Sequence, residues 1–185
     1  MLCPNNGFNG VCKQVAGWTT KPFWNDETNF NTNSENFTCN PSLYSAADCA
    51  GQVVRWQVLQ AAVGEQQLNW YFWYNTIGTV ALNESAYYYM MKYMTGGKFT
   101  AACSAISTTY TCPFIQQNGF VSLFVWTTSE SGAAFTVPPG YNHYLDFAGA
   151  SDKITTQTIL ISVGPLLLEQ LPIPAPPQTL KVQTQ

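Results

Sequence analysis

"SAADCAGQVVRWQVLQAAVGEQQLNWYFWYN", residues 45–75, decides the fold class. Its first part, through Gly64, has the marks of a helix. Ser45 is placed to act as N-cap with Asp48 three residues on, and Ala50, Val54, Val58 and Ala61 recur at helical spacing. Gly64 supplies the stop. The run that follows, "QLNWYFWYN" (67–75), is apolar on both faces, the pattern of a strand covered on both sides in a parallel sheet.

Toward the N-terminus, "KPFWNDE" (21–27) reads as a short, fully buried strand that ends on two adjacent carboxylates, Asp26 and Glu27. A loop rich in Asn, Ser and Thr then runs from about Asn29 to Tyr44. Toward the C-terminus, "NESAYYYMMKYM" (83–94) reads as a second helix, capped by Asn83 and stopped by Gly96-Gly97. Residues 21–95 therefore run strand, helix, strand, helix, the βα repeat of an α/β fold with parallel strands.

The pattern changes after Gly97. "KFTAACSAI", "TYTCPFIQQ", "FVSLFVWTT", "AAFTVP", "YNHYLDF", "TQTILIS" and "LLLEQ" are β-prone runs divided by turn signals. That spacing predicts an antiparallel sandwich, with Asn118-Gly119 as a hairpin turn. The expected organisation is an N-terminal loop at 1–20, an α/β segment at 21–97, a β-sandwich at 98–172 and a Pro-rich extended tail at 173–185.

Composition limits the partners. Only 9% of the 185 residues are charged, against roughly a quarter in an average soluble protein. The net charge of -3 leaves no basic patch, which argues against nucleic acid. Aromatic residues make up 15% of the chain, and a neutral surface of amides, hydroxyls and rings suits carbohydrate. The longest apolar run, "ILISVGPLLL", is too short to span a bilayer.

Six cysteines fall into locally spaced pairs, Cys3 with Cys12, Cys39 with Cys49 and Cys103 with Cys112. None has zinc or CxxC spacing, so three local disulfides are expected, although six cysteines allow fifteen connectivities. Disulfides imply an oxidising, extracellular location, and the sequons at Asn36 and Asn83 are compatible with export. "MLCPNNGFNG" has no basic start and no apolar core, so it is not a signal peptide. The expectation is that the signal was lost with a missing front part.

The order "KPFWNDE", helix, "LNWYFWYNTIGT", "SAYYYMMKYMTGG", then the strands from "TYTCPF" to "ILISVGPLLLE", resembles the C-terminal part of secreted retaining glycoside hydrolases. These form the (β/α)8-barrel clan that includes families five and thirty-nine. The resemblance covers about residues 20–170. It implies that 21–97 are the last two βα units of the barrel, strand 7 to helix 8, followed by a sandwich that packs on the barrel. It places Glu27 at the nucleophile, Trp73 at the eighth-strand Trp that floors the sugar site, and Asn75 just beyond. Cys103 and Cys112 fall on a pair closing the first strands of the sandwich.

Asp26 stands where the family usually has a neutral residue. Neighbouring strand residues point to opposite faces. With Glu27 toward the barrel lumen, Asp26 would face the helix layer, and a one-residue slip would exchange the two. The bland alternative for Glu27 is a polar strand end, and for Trp73 a core residue. Trp70 and Tyr71 read as packing.

A retaining glycosidase needs a second carboxyl group about 5–5.5 Å from the first. In the clan it follows an Asn at the end of strand 4. Here the one Asn-Glu pair, Asn83-Glu84, opens a helix. The chain alone is therefore expected to be inactive. His143, the single histidine, is expected to be either a surface residue or a satisfied half-buried one, without a catalytic role. No metal or cofactor motif is present. The alternatives to a hydrolase fragment are a carbohydrate-binding sandwich module and a secreted structural or adhesive protein.

Overall fold

The computed structural model describes residues 23–28, 45–70 and 81–171. Strand β1 (Phe23–Thr28) and strand β2 (Glu65–Trp70) pair in parallel, joined through helix α1 (Ala46–Ala62). Helix α2 (Ala81–Met94) follows. Nine short strands follow among the described residues: β3 (Lys98–Phe99), β4 (Ser104–Ile106), β5 (Thr109–Ile115), β6 (Val121–Thr127), β7 (Ala133–Thr136), β8 (His143–Leu145), β9 (Ser151–Lys153), β10 (Thr158–Ile161) and β11 (Leu166–Glu169).

Helix α1 forms as its sequence dictates. The Ser45 side chain accepts from the Asp48 backbone N–H at 3.1 Å, and the Asp48 carboxylate accepts from the Ser45 backbone N–H at 3.0 Å. This reciprocal cap satisfies two of the N–H groups that a helix start leaves without partners. Gly64 and Gly96 follow the two helices at φ +83° and +72°, the left-handed conformation that glycine adopts without a Cβ clash. The start of α2 differs from expectation. It begins at Ala81, so Asn83 lies in the first turn and is not the cap. Ala81 and Leu82 are strong helix formers, and they carry the helix past the signal that Asn83 offered.

All but β7 and β10 of the C-terminal strands join one antiparallel sheet in the order β3-β5-β6-β11-β8-β9, with β4 on the free edge of β5. Strands β7 and β10 form a separate antiparallel pair. One face of the large sheet presents Cys112, Phe114, Phe124, Trp126 and Leu167, which pack with Ala50, Val54 and Val58 of α1 and with Ala86 and Met90 of α2. The other face presents Leu123, Val125 and Leu168, which pack with Val137 and with Ile161 of β10. The result is a helix layer, a central sheet and a two-stranded outer sheet, the last two being the expected sandwich.

Two local features fit the layers together. Gly51, in the middle of α1, has the Val163 carbonyl and Gly164 Cα within 3.2 Å of where a Cβ would sit. A glycine there costs roughly 1 kcal/mol of helix propensity, and it lets the helix approach the β10–β11 turn. The Cys103–Cys112 disulfide ties the segment before β4 to β5. Cys49 is also disulfide-bonded, while Cys3, Cys12 and Cys39 lie outside the described residues.

The sheet holds one strand that the sequence pattern does not announce. Strand β9 is Ser-Asp-Lys, exposed at all three positions and paired with β8. An edge strand with no buried face carries no hydrophobic alternation to read. Gln57 is a second departure. It is buried on α1 at 2% exposure, and among the described residues neither its side-chain nitrogen nor its oxygen has a hydrogen-bond partner. Leaving an amide desolvated and unpaired is destabilising, so Gln57→Leu, close in size, is expected to raise unfolding stability by about 1–2 kcal/mol in urea titrations. A loss of stability would mean that the amide has a partner.

Candidate functional site

The acid pair sits near the C-terminal end of β1. In the β1–β2 ladder Asn25 pairs with Leu68 and Thr28 with Trp70. Two residues of β1, Asp26 and Glu27, therefore stand opposite one residue of β2, Asn69. The register shift between Asn25 and Thr28 is a bulge of this kind. Bulges re-aim side chains and are over-represented beside active sites. Strict alternation therefore does not run through these two positions.

Both parallel strands end on the same side, with Thr28 beside Trp70. The chain therefore leaves β2 next to Glu27 and enters residues 71–80. In parallel α/β sheets and barrels the ligand lies at this carboxyl edge of the strands. Trp73 and Asn75, the two expected sugar contacts, fall outside the described residues.

A second polar grouping lies across the central sheet. Ser122 on β6, Glu169 on β11 and His143 on β8 are Cα partners in register, forming one rung. Glu169 is 5% exposed. One of its oxygens is 2.8 Å from His143 Nδ1, and the other accepts from the Gln116 side-chain amide. That same amide also donates to Ser122 Oγ at 2.8 Å. His143 is thus half-buried and satisfied, the second of the two alternatives open to it from sequence. Glu169, which anchors the network, was not singled out from sequence. The available signal was a carboxylate closing the apolar run "LLLE", in a chain with a single histidine to pair it. A buried carboxylate survives when its oxygens are paired, and this cluster reads as structural.

Tyr93, in the last turn of α2, packs against the helix-facing core of the sheet. Burial, with the Asp146 carboxylate, Tyr89 and the Glu169 carboxylate adding to it, pushes its phenol up to about 12. Asp146 is held in the β8–β9 turn, where it accepts from the Ala148 and Ala150 backbone N–H groups. A tyrosine in the unfolded chain ionises near 10. Between pH 10 and about 12 the unfolded chain therefore loses a proton that folded Tyr93 keeps. Its contribution to stability is intact below pH 10 and is lost as pH rises through about 12. Tyr93→Phe is expected to lessen the fall in Tm between pH 9 and pH 11.5. Equal falls in both proteins would refute the assignment.

Among the described residues no helix is long and apolar enough to cross a membrane. No protein-family model and no curated protein matches this sequence. Among solved structures the chain is similar to a family 39 glycoside hydrolase from the gut symbiont Bacteroides cellulosilyticus WH2, with a TM-score of 0.61 at 14% sequence identity. The match takes in 81% of this chain and 34% of that one. At that identity the likeness is one of fold, and the chain spans about a third of the length of the protein it matches.

Proposed function

We propose that this chain is the C-terminal part of a secreted retaining glycoside hydrolase acting on a polysaccharide or oligosaccharide. On this reading residues 21–97 are the last two βα units of a (β/α)8 barrel. Residues 98–172 are the accompanying sandwich, 1–20 a leading loop and 173–185 a trailing one. The observation that carries it is the parallel β1–α1–β2 crossover running into α2 and then an antiparallel sandwich packed on the helices. The fold likeness to a family 39 glycoside hydrolase supports it.

Glu27 is the proposed nucleophile, attacking the anomeric carbon. Trp73 is the proposed sugar platform, and Asn75 a hydrogen-bonding neighbour. The acid/base that protonates the leaving oxygen belongs to another part of the enzyme. Glu84, the other half of an Asn-Glu pair, sits in the first turn of α2 and does not close a strand. By itself the chain is therefore inactive. The disulfides Cys103–Cys112 and that of Cys49 support an oxidising location.

The test is the coding DNA on the 5′ side of Met1, read in all frames. The proposal expects about six further βα units, with an Asn-Glu pair ending the fourth strand. A promoter and ribosome-binding site directly ahead of Met1, with no such coding sequence, would overturn it.

A further inference from the structure

Between α1 and the central sheet lies an open cavity of about 280 Å³. Gln52, Arg55 and Trp56 line it from α1, where their spacing of three and four residues places them on one side of the helix. Across from them stand Tyr110 of β5 and Trp126 of β6, with Thr128 just beyond. Tyr110 and Trp126 are Cα partners, and their rings stack at 5.1 Å and 9°. They spend their faces largely on one another. Trp56 is the ring left facing solvent, at 36% exposure.

Arg55 is the odd element in this wall. Among the described residues the one ion pair is His143–Glu169, and Arg55 has none. Asp48, the acid whose charge reaches Arg55, is engaged by the Ser45 cap through a backbone N–H and a hydroxyl. Burial holds the Arg55 guanidinium below its ordinary value, and the Asp48 carboxylate offsets that only in part. A half-buried cation without a counter-ion is a free-energy cost that a bound anion relieves. The guanidinium fork matches a carboxylate with two parallel hydrogen bonds.

From this geometry we propose that the cavity binds one uronate unit of an acidic saccharide. The apolar face of the pyranose lies on Trp56, the carboxylate sits on Arg55, and Gln52 and Thr128 take ring hydroxyls. The size supports a single ring, since about 280 Å³ is at the low end for small-molecule sites. A flat aromatic acid also satisfies the ring and the cation, but it leaves Gln52 and Thr128 covered and unpaired, which weakens its binding. None of the described lining residues belongs to β1, and the proposal does not depend on whether Glu27 acts.

Isothermal titration of the full chain with sodium glucuronate, digalacturonate, glucose and benzoate tests this. Both uronates are expected to bind with Kd near ~1 mM or tighter, and glucose and benzoate about tenfold more weakly or worse. Binding of either uronate alone would still support a uronate in the cavity, since the two differ both in chain length and in configuration at C4. Arg55→Gln is expected to weaken the uronates by about tenfold or more and to leave glucose unchanged. Trp56→Ala is expected to weaken both. Neither uronate binding, or glucose or benzoate equalling them, would overturn the proposal, as would an Arg55→Gln protein that binds uronate unchanged. Should Arg55→Gln alter the far-ultraviolet circular dichroism, the ligand ranking on the unaltered chain decides. Absence of activity in an enzyme with a complete barrel would count against the role of Glu27 and would leave this site untouched.

Discussion

In a polypeptide that closes the whole eight-stranded barrel, Glu27→Gln is expected to lower kcat/KM on an aryl glycoside by ~10⁴-fold or more. Asp26→Asn is expected to cost less than about tenfold, since a residue that does not touch the reacting atoms contributes through packing alone. The contrast is sharp because both residues share one bulge. Asp26 and Glu27 together oppose Asn69 in the β1–β2 ladder, so strand alternation does not decide between them. Chemistry does. A retaining enzyme requires a carboxylate that forms a covalent bond to the sugar, and the amide of Gln cannot. Azide added to Glu27→Ala should restore turnover and give a glycosyl azide of inverted configuration, because a small anion fills the vacated place. A protein that merely lost folding would show no such rescue. The pair of roles would be exchanged if Asp26→Asn were the inactive variant and Glu27→Gln the active one.

The parts of the fold that local chemistry controls were legible before any coordinates. The Ser45–Asp48 cap spans three residues and forms as written. The alternation of strand, helix and strand gave a parallel pair, which is what the structure holds. The short-range disulfide Cys103–Cys112, nine residues apart, is also present. What escaped the sequence is non-local or leaves no hydrophobic trace. Strand β9 is polar and exposed, held to β8 by backbone pairing. The bulge at Asp26 and Glu27 is a property of two strands, set by how 23–28 meets 65–70. Glu169 joins His143 and Gln116 across separations of 26 and 53 residues, too far apart for any short window along the chain to hold all three. The Arg55 cavity is hidden for the same reason: its walls come from one helix and two strands.

Phe124→Ala is expected to remove about 3–5 kcal/mol of unfolding stability, a large share of the 5–15 kcal/mol typical of a domain. Phe124 is fully buried at the centre of the helix-facing side of the sheet. Its ring lies 5.4 Å from Phe114 and 5.9 Å from Phe99 between centroids. Its Cα partners are Cys112 of the disulfide and Leu167 of β11. The same cluster includes Val54 and Val58 from α1 and Met90 from α2. Truncation therefore opens a cavity where the helix layer and the sandwich meet, and rigid backbone on both sides limits its collapse. The loss should appear in urea unfolding together with weaker near-ultraviolet circular dichroism, since neighbouring aromatic rings lose their fixed surroundings. Phe124→Leu keeps much of the volume and should cost less than about 1.5 kcal/mol. If Phe124→Ala cost under ~1 kcal/mol with cooperative unfolding retained, the helices would not be packed on this face of the sheet. The βα unit and the sandwich would then be separate bodies, without the shared core that makes them one continuous end of the proposed hydrolase.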